Sequence, residues 1–214
     1  MAKSNYHEEL YRGRQGLERL AQAAICICGT GALGSNLAVN LARIGCKKLT
    51  LIDRDRVEEH NVGTQTFGLD DVGARKAEIL RNLLSYELHL DVQAKATELQ
   101  ANNAGKLLNG HDLVIDCFDN SLSRQIVADH CRDNAIACLH AGVSGEYGEV
   151  MWNDRYKVPS DEGLDACDYP LARNLLMLVV AVAAESLIRY LLAAEQESYS
   201  ITLGDLKINR ERER

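Results

Sequence analysis

This sequence predicts an α/β fold: a mainly parallel central sheet with helices on both faces and an antiparallel C-terminal part. Three observations carry that prediction. Short apolar runs alternate with helical segments through residues 23–140, a glycine-rich turn joins the first run to a helix, and past residue 147 the alternation stops. The 214 residues are 46% hydrophobic and 26% charged with only 2 Pro, which excludes disorder and leaves little room for a second catalytic domain. With no internal repeat or linker, residues 1–214 read as a single domain, with 1–22 an N-terminal helical segment and 153–170 a crossover loop.

Taken in order, a polar helix over 7–22 leads to an apolar strand over 23–28, a turn at 29–34, and a helix in which Leu37, Leu41 and Ile44 keep helical spacing up to Gly45. A second strand over 49–52 ends at Asp53, and the polar stretch 54–71 reads as a long functional loop. A helix over 73–87, with Ile79, Leu80, Leu83 and Leu84 on one face, precedes a strand at 92–96, a short helix at 102–109 and a strong strand at 113–117. A helix over 122–134 and a strand over 136–140 continue the alternation. The closing part holds a strand at 147–152, a polar loop over 153–168, a long apolar helix at 171–194 and a final strand at 199–206, with a frayed charged tail at 210–214.

Charge narrows the function classes. The formal net charge of −7, from 31 acidic and 24 basic residues, repels nucleic-acid backbones and anionic lipid, so neither is an expected partner. The wholly apolar run 175–184 is too short to span a bilayer and reads as a buried helix. Most of the seven cysteines lie in apolar runs, no C-x-x-C pair occurs and no secretory signal opens the chain, which predicts reduced thiols in a cytoplasmic protein without zinc. Cys26 and Cys28 are expected to share one strand face.

The turn Gly29-Thr-Gly-Ala-Leu-Gly34 follows a strand, opens a helix and has Asp53 at the next strand end. In such a unit Gly29 permits the tight turn, Gly31 lets a phosphate approach the backbone, and Gly34 lets helix and strand pack closely. The helix N-terminus adds unpaired N–H groups, and Asp53 can accept from ribose hydroxyls. This predicts a nucleotide but leaves its kind open. Lys76 begins the helix after the long loop and is placed to meet phosphates, against the plainer reading of a solvated helix lysine. Asp119, in Asp116-Cys-Phe-Asp119-Asn120 at a strand's carboxyl end, suits Mg²⁺, against the plainer reading of a helix N-cap that Asn120 or Ser121 fills equally well.

These residues together resemble the ThiF/MoeB/HesA family, bacterial relatives of ubiquitin-activating enzymes. The resemblance rests on the glycine turn through Ser35; on Leu51-Ile-Asp-Arg-Asp-Arg-Val-Glu58 with Asn61 and Gln65; on Val72-Gly-Ala-Arg-Lys76-Ala-Glu78; and on the Asp116–Asn120 motif with Arg124. It implies a Rossmann-like fold and ATP- and Mg²⁺-dependent adenylation of the C-terminal Gly-Gly carboxylate of a ubiquitin-like or sulfur-carrier protein, with release of pyrophosphate. By the same resemblance Asp53 binds ribose, Asn61 and Lys76 contact phosphates, Asp119 holds Mg²⁺, and Asp55 and Asn120 complete the nucleotide set. Arg14, in Tyr11-Arg-Gly-Arg-Gln15, falls where the family carries an arginine donated across a homodimer interface, with Arg12 the competing candidate.

The chain departs from the family in two places. The loop reads Asn61-Val-Gly-Thr64-Gln65, so the family's arginine is missing at Thr64, and Arg54, Arg56 and Arg75 are the candidate substitutes. The family's two zinc-binding cysteine pairs are also absent. Cys167, in Asp165-Ala-Cys-Asp-Tyr-Pro170, lies where some members form a thioester or persulfide with the partner protein, although Asp165 and Asp168 oppose thiolate formation there. Other readings are a ThiF-like enzyme acting on tRNA, a non-catalytic nucleotide-binding member and an NAD-dependent oxidoreductase. Thr64 keeps the second in view, while Lys76 and Asp119 argue against the third.

Overall fold

The computed structural model describes residues 5–160 and 170–211. Eight strands form one sheet in the order β3-β2-β1-β4-β5-β6-β7-β8. Its parallel half comprises β1 (Ala24–Cys28), β2 (Lys48–Ile52), β3 (Gln93–Lys95), β4 (Leu113–Asp116) and β5 (Cys138–Ser144). The antiparallel half adds β6 (Tyr147–Trp152), β7 (Tyr199–Thr202) and β8 (Lys207–Arg210). The helices are α1 (Tyr6–Gln22), α2 (Ala32–Ile44), α3 (Lys76–Leu88), α4 (Ala104–Leu108), α5 (Ser121–Asp133) and α6 (Arg173–Ala193).

Two apolar clusters sandwich the sheet, and strand alternation divides the residues between them. In β1, Ile25 and Ile27 join the larger cluster with Leu37, Leu41, Val179 and Leu187, while Cys26 and Cys28 face the smaller one with Leu108, Val127 and Cys131. The shared face expected for those two cysteines is therefore observed, with their sulfurs 3.9 Å apart. Among the described residues α6 is the one helix long and apolar enough to cross a membrane. It packs instead on α2, β5 and β6, burying Leu175, Leu176, Val179, Val180, Ala183, Ala184, Leu187 and Ile188. Gly148 makes this contact possible, because a Cβ there would sit 2.3 Å from Val179 Cγ2.

The structure revises three boundaries. The strand expected at 136–140 begins at Cys138 and runs on to Ser144, because the hairpin with β6 extends its ladder beyond the parallel pairing to β4. The strand expected at 199–206 is a hairpin instead: Leu203-Gly-Asp-Leu206 turns the chain, Thr202 Oγ1 bonds Asp205, and Leu206 takes the left-handed conformation. Arg210 then pairs with Tyr199, so β8 occupies the start of the segment expected to be frayed.

β1 lies between β2 and β4, and the strand order runs outward from it through β2 to β3 on one side and through β4 to β5 on the other. In open α/β sheets the crevice beyond the carboxyl ends of such strands is where ligands bind.

Candidate functional site

That crevice is built around the glycine turn. Gly29 has a φ of +86° and donates its N–H to Ile52 O at 2.8 Å. A Cβ on Gly29 would lie 2.9 Å from Cys117 O and 3.1 Å from Phe118 N, so the loop after β4 passes directly across the turn. At Gly34 a Cβ would meet Gly29 O at 1.8 Å, which accounts for the third glycine. Gly31 differs: among the described residues only Gln65 Nε2, at 3.9 Å, comes near a Cβ there. It caps α2, whose first turn carries no acidic residue, leaving backbone donors and the positive end of the helix toward the crevice.

Asp53 holds this arrangement together. Its Oδ2 accepts from Thr30 N at 2.6 Å and Thr30 Oγ1 at 3.0 Å, and its Oδ1 accepts from Asp55 N at 2.8 Å. A residue assigned to ribose thus also fixes the turn, a role its sequence position did not reveal. Lys76 starts α3, is nearly buried, and places Nζ 3.7 Å from Asp55 Oδ2. Asn61 is buried, and its Oδ1 accepts from Glu58 N at 2.9 Å to stiffen a 3₁₀ turn in the long loop.

Residues 61–66 lie on the first turns of α2. Asn36 Nδ2 donates to Thr64 O at 2.9 Å, and Thr66 N donates to Ser35 Oγ at 3.3 Å. Gln65 Oε1 and Thr66 Oγ1 are buried there without a hydrogen-bond partner among the described residues. Buried polar atoms of this kind normally find partners: a nucleotide hydroxyl can donate to Gln65 Oε1, and Thr66 Oγ1 can donate to a hydroxyl or phosphate oxygen. Across the crevice Asn120 caps α5 through Oδ1 to Ser123 N at 2.9 Å, which leaves the exposed Asp119 outside the capping role. No group of three or more His, Cys, Asp or Glu gathers among the described residues.

Arg14 and its competitor Arg12 both lie on α1. Arg14 is exposed on α1 and pairs with Glu18 at 2.9 Å, whereas Arg12 is enclosed and pairs with Glu8 at 2.7 Å and Glu185 at 2.8 Å. Arg12 is thus committed within its own chain, and Arg14 is the one that faces outward. Cys167 lies outside the described residues.

Residues 4–208 match the ThiF family. The chain belongs to this family. Its curated relatives include "Adenylyltransferase and sulfurtransferase MOCS3" of Drosophila yakuba, 36% identical over 121 residues, covering 56% of this chain and 27% of that protein. The "Probable molybdopterin-synthase adenylyltransferase" of Porphyra purpurea is 35% identical over 119 residues, 55% of this chain and 31% of that protein. The chain thus matches less than a third of the length of either relative. Among solved structures, E. coli MccB with ATP superposes with a TM-score of 0.82 at 19% identity, over 98% of this chain and 71% of that one. E. coli tRNA N6-threonylcarbamoyladenosine dehydratase, TcdA, with ATP gives 0.75 at 22% identity, over 91% of this chain and 98% of that one. These two share the ThiF fold with this chain.

This ThiF domain also contains a buried polar cluster of which sequence reasoning named only Asp116 and Arg124. Asp116 ends β4 with no exposed surface, and its Oδ1 accepts from Phe118 N at 3.0 Å, shaping the loop that carries Asp119. Its Oδ2 lies 2.8 Å from His140 Nδ1 and 3.8 Å from Arg124 Nη1. The other nitrogen of His140 is 2.8 Å from Asn153 Oδ1, while Asn153 Nδ2 donates to Ala128 O at 3.0 Å. Tyr156 stacks on His140 at 3.7 Å and accepts from Arg124 at 2.7 Å. Burial pushes the Tyr156 hydroxyl up to about 12 against the opposing pull of Arg124. Burial also raises Glu149, tempered by Arg124 and His140. The available signal was a charged residue ending an apolar strand, since an aspartate without exposure requires partners. In the parallel register Asp116 lies opposite His140.

Proposed function

We propose that this ThiF-family protein uses ATP and Mg²⁺ to adenylate the C-terminal carboxylate of a small ubiquitin-like or sulfur-carrier protein ending in Gly-Gly, releasing pyrophosphate. The observation that carries the reading is the open N-terminus of α2 at Gly31 beyond β1, with β2 and β4, the strands that lead to Lys76 and Asp119, on either side. A cation and a carboxylate around a phosphate seat suit a metal-bound triphosphate, whereas hydride transfer from a dinucleotide requires neither.

A carboxylate oxygen of the carrier attacks the α-phosphorus, the bond from that phosphorus to the pyrophosphate oxygen breaks, and an acyl-adenylate forms. A carboxylate is already deprotonated, so no general base is needed. Lys76 opposes the charge that develops on the leaving pyrophosphate, the amides at Gly31 bind phosphate oxygens, and Asp53 with Asn120 orients the nucleoside. Asp119 with phosphate oxygens would hold Mg²⁺, which supplies further charge neutralisation when bound. The reading includes a cytoplasmic homodimer in which Arg14 of one protomer serves the site of its partner. The outward position of Arg14 beside the exposed Leu10 and Tyr11 supports this. Cys167 is assigned to a later step in which its thiolate, or a persulfide it has received from a sulfane-sulfur donor, attacks the acyl-adenylate carbonyl and AMP leaves.

ATP–pyrophosphate exchange with candidate carrier proteins tests the reading. Asp119→Ala is expected to abolish exchange, and wild-type exchange in that variant would refute the metal assignment. With Cys167→Ala, exchange is expected to continue while any covalent adduct with the carrier is lost. A second reading, adenylation of a carboxylate carried on tRNA, draws support from the match to almost the full length of TcdA. Exchange elicited by tRNA and not by a carrier protein would favour it.

A further inference from the structure

The long loop carries Thr64 where a phosphate-binding cation is expected, so a triphosphate at Gly31 meets Lys76 but no arginine from this loop position. Among the described residues none of the three candidate substitutes bonds to residues 61–66. Arg54 pairs with Glu98, Arg56 donates to Gly73 O at 2.6 Å, and Arg75 donates to Arg54 O. An arginine that sequence reasoning passed over approaches instead. Arg173 Nη1, from the first residue of α6, donates to Gly63 O at 3.2 Å, next to Thr64.

That contact brings Arg173 to the nucleotide crevice, because residues 61–66 rest on Ser35 and Asn36 in the opening turns of α2. The start of α6 is itself fixed, since Leu171 bridges to Gly145 at the end of β5. The guanidinium is exposed, and among the described residues its one hydrogen bond is to a backbone carbonyl, with no carboxylate neutralising it. A cation in the first turn of a helix also opposes the helix dipole, and α6 has no acidic residue there to compensate. Among the described residues this broken local rule has no local compensation, which points to a use at a site.

We propose that Arg173 is the cation that meets the nucleotide phosphates at the position of Thr64, so that α6 supplies the charge the loop lacks. The proposal rests on the adenylation reading in one respect: that ATP binds with its phosphates at Gly31. Arginine suits the role through its planar fork of donors, of which one serves Gly63 and the others remain for phosphate oxygens.

Isothermal titration with ATP and, separately, adenosine tests it in four proteins: wild type, Arg173→Ala, Arg173→Lys, and Arg173→Ala combined with Thr64→Arg. Arg173→Ala is expected to weaken ATP binding about tenfold and leave adenosine within about twofold. Arg173→Lys should retain part of the ATP affinity, and Thr64→Arg should restore it in the alanine background. ATP affinity within twofold of wild type in Arg173→Ala overturns the proposal, as does an equal loss for ATP and adenosine, which would mark a structural role. A double variant no better than Arg173→Ala overturns the placement beside Thr64. Wild-type protein that binds neither ligand would instead remove the adenylation reading, and the role of Arg173 with it.

Discussion

At the scale of single residues, enclosed charge governs the site. Asp116 has no exposed surface and is matched by His140, Arg124 and the Phe118 amide. Removing one partner of such a set strands the others, which costs more than the pair contributes when intact. Asp116→Ala is accordingly expected to lower unfolding stability by about 3–5 kcal/mol, read from urea midpoints at constant slope. His140→Asn, which can still present a donor toward Asp116, should cost distinctly less than His140→Leu. Equal losses in those two variants would contradict the role given to the ring.

Among elements, the contact of α6 with the sheet depends on a missing side chain. Gly148→Ala places a methyl 2.3 Å from Val179 Cγ2 in the middle of a buried face. Neither β6 nor α6 can shift freely, because β6 is laddered to β5 and β7 on its two edges. Overpacking of this kind is expected to cost about 1–3 kcal/mol, and Val179→Ala combined with Gly148→Ala should recover part of it. Non-additive urea midpoints across the four proteins would confirm the pair. This contact also shows what the sequence could not express. The glycine turn, the strand alternation in β1 and the apolar length of α6 were legible because each follows from local spacing. The partner of Gly148, by contrast, is 31 positions away and is set by how a helix crosses a sheet. The same limit explains the site: Gly29, Gly31, Gly34, Asp53, Lys76 and Asp119 lie in motifs. His140, Asn153, Tyr156 and Arg173 act through contacts between distant segments. The hairpin over β7 and β8 was missed for a different reason, since Gly204 and Asp205 form a turn signal inside what read as one strand.

For the molecule as a whole, the cysteines set a limit on pH tolerance. Burial raises the thiol of Cys46 to about 12 and pushes that of Cys117 above its ordinary value. Cys138 is raised by burial and by Cys131, and Cys28 by its bond to Cys26 and by burial. A thiol that titrates higher when folded holds its proton where the unfolded chain has released it. Each such group therefore contributes no penalty below the ordinary thiol value near 9, and stability falls as pH rises above it. The slope is about 1.4 kcal/mol per pH unit for each fully shifted thiol. Raising pH from 8.5 to about 10.5 should thus lower stability by several kcal/mol in equilibrium unfolding, and Cys46→Ala should flatten the dependence. A stability independent of pH over that window would contradict the burial of these thiols.

Before any nucleotide arrives, the grip of Asp53 on Thr30 and Asp55 has already restricted the backbone around the phosphate seat. Binding there forfeits little chain entropy, because the amides need no reorientation to meet an anion. In the proposed complex the cost of association falls instead on side chains reaching in from outside the turn, Lys76 from its place beside Asp55 and Arg173 from Gly63 O. Affinity in this protein should therefore respond more steeply to how those two side chains are held than to further stiffening of the glycines.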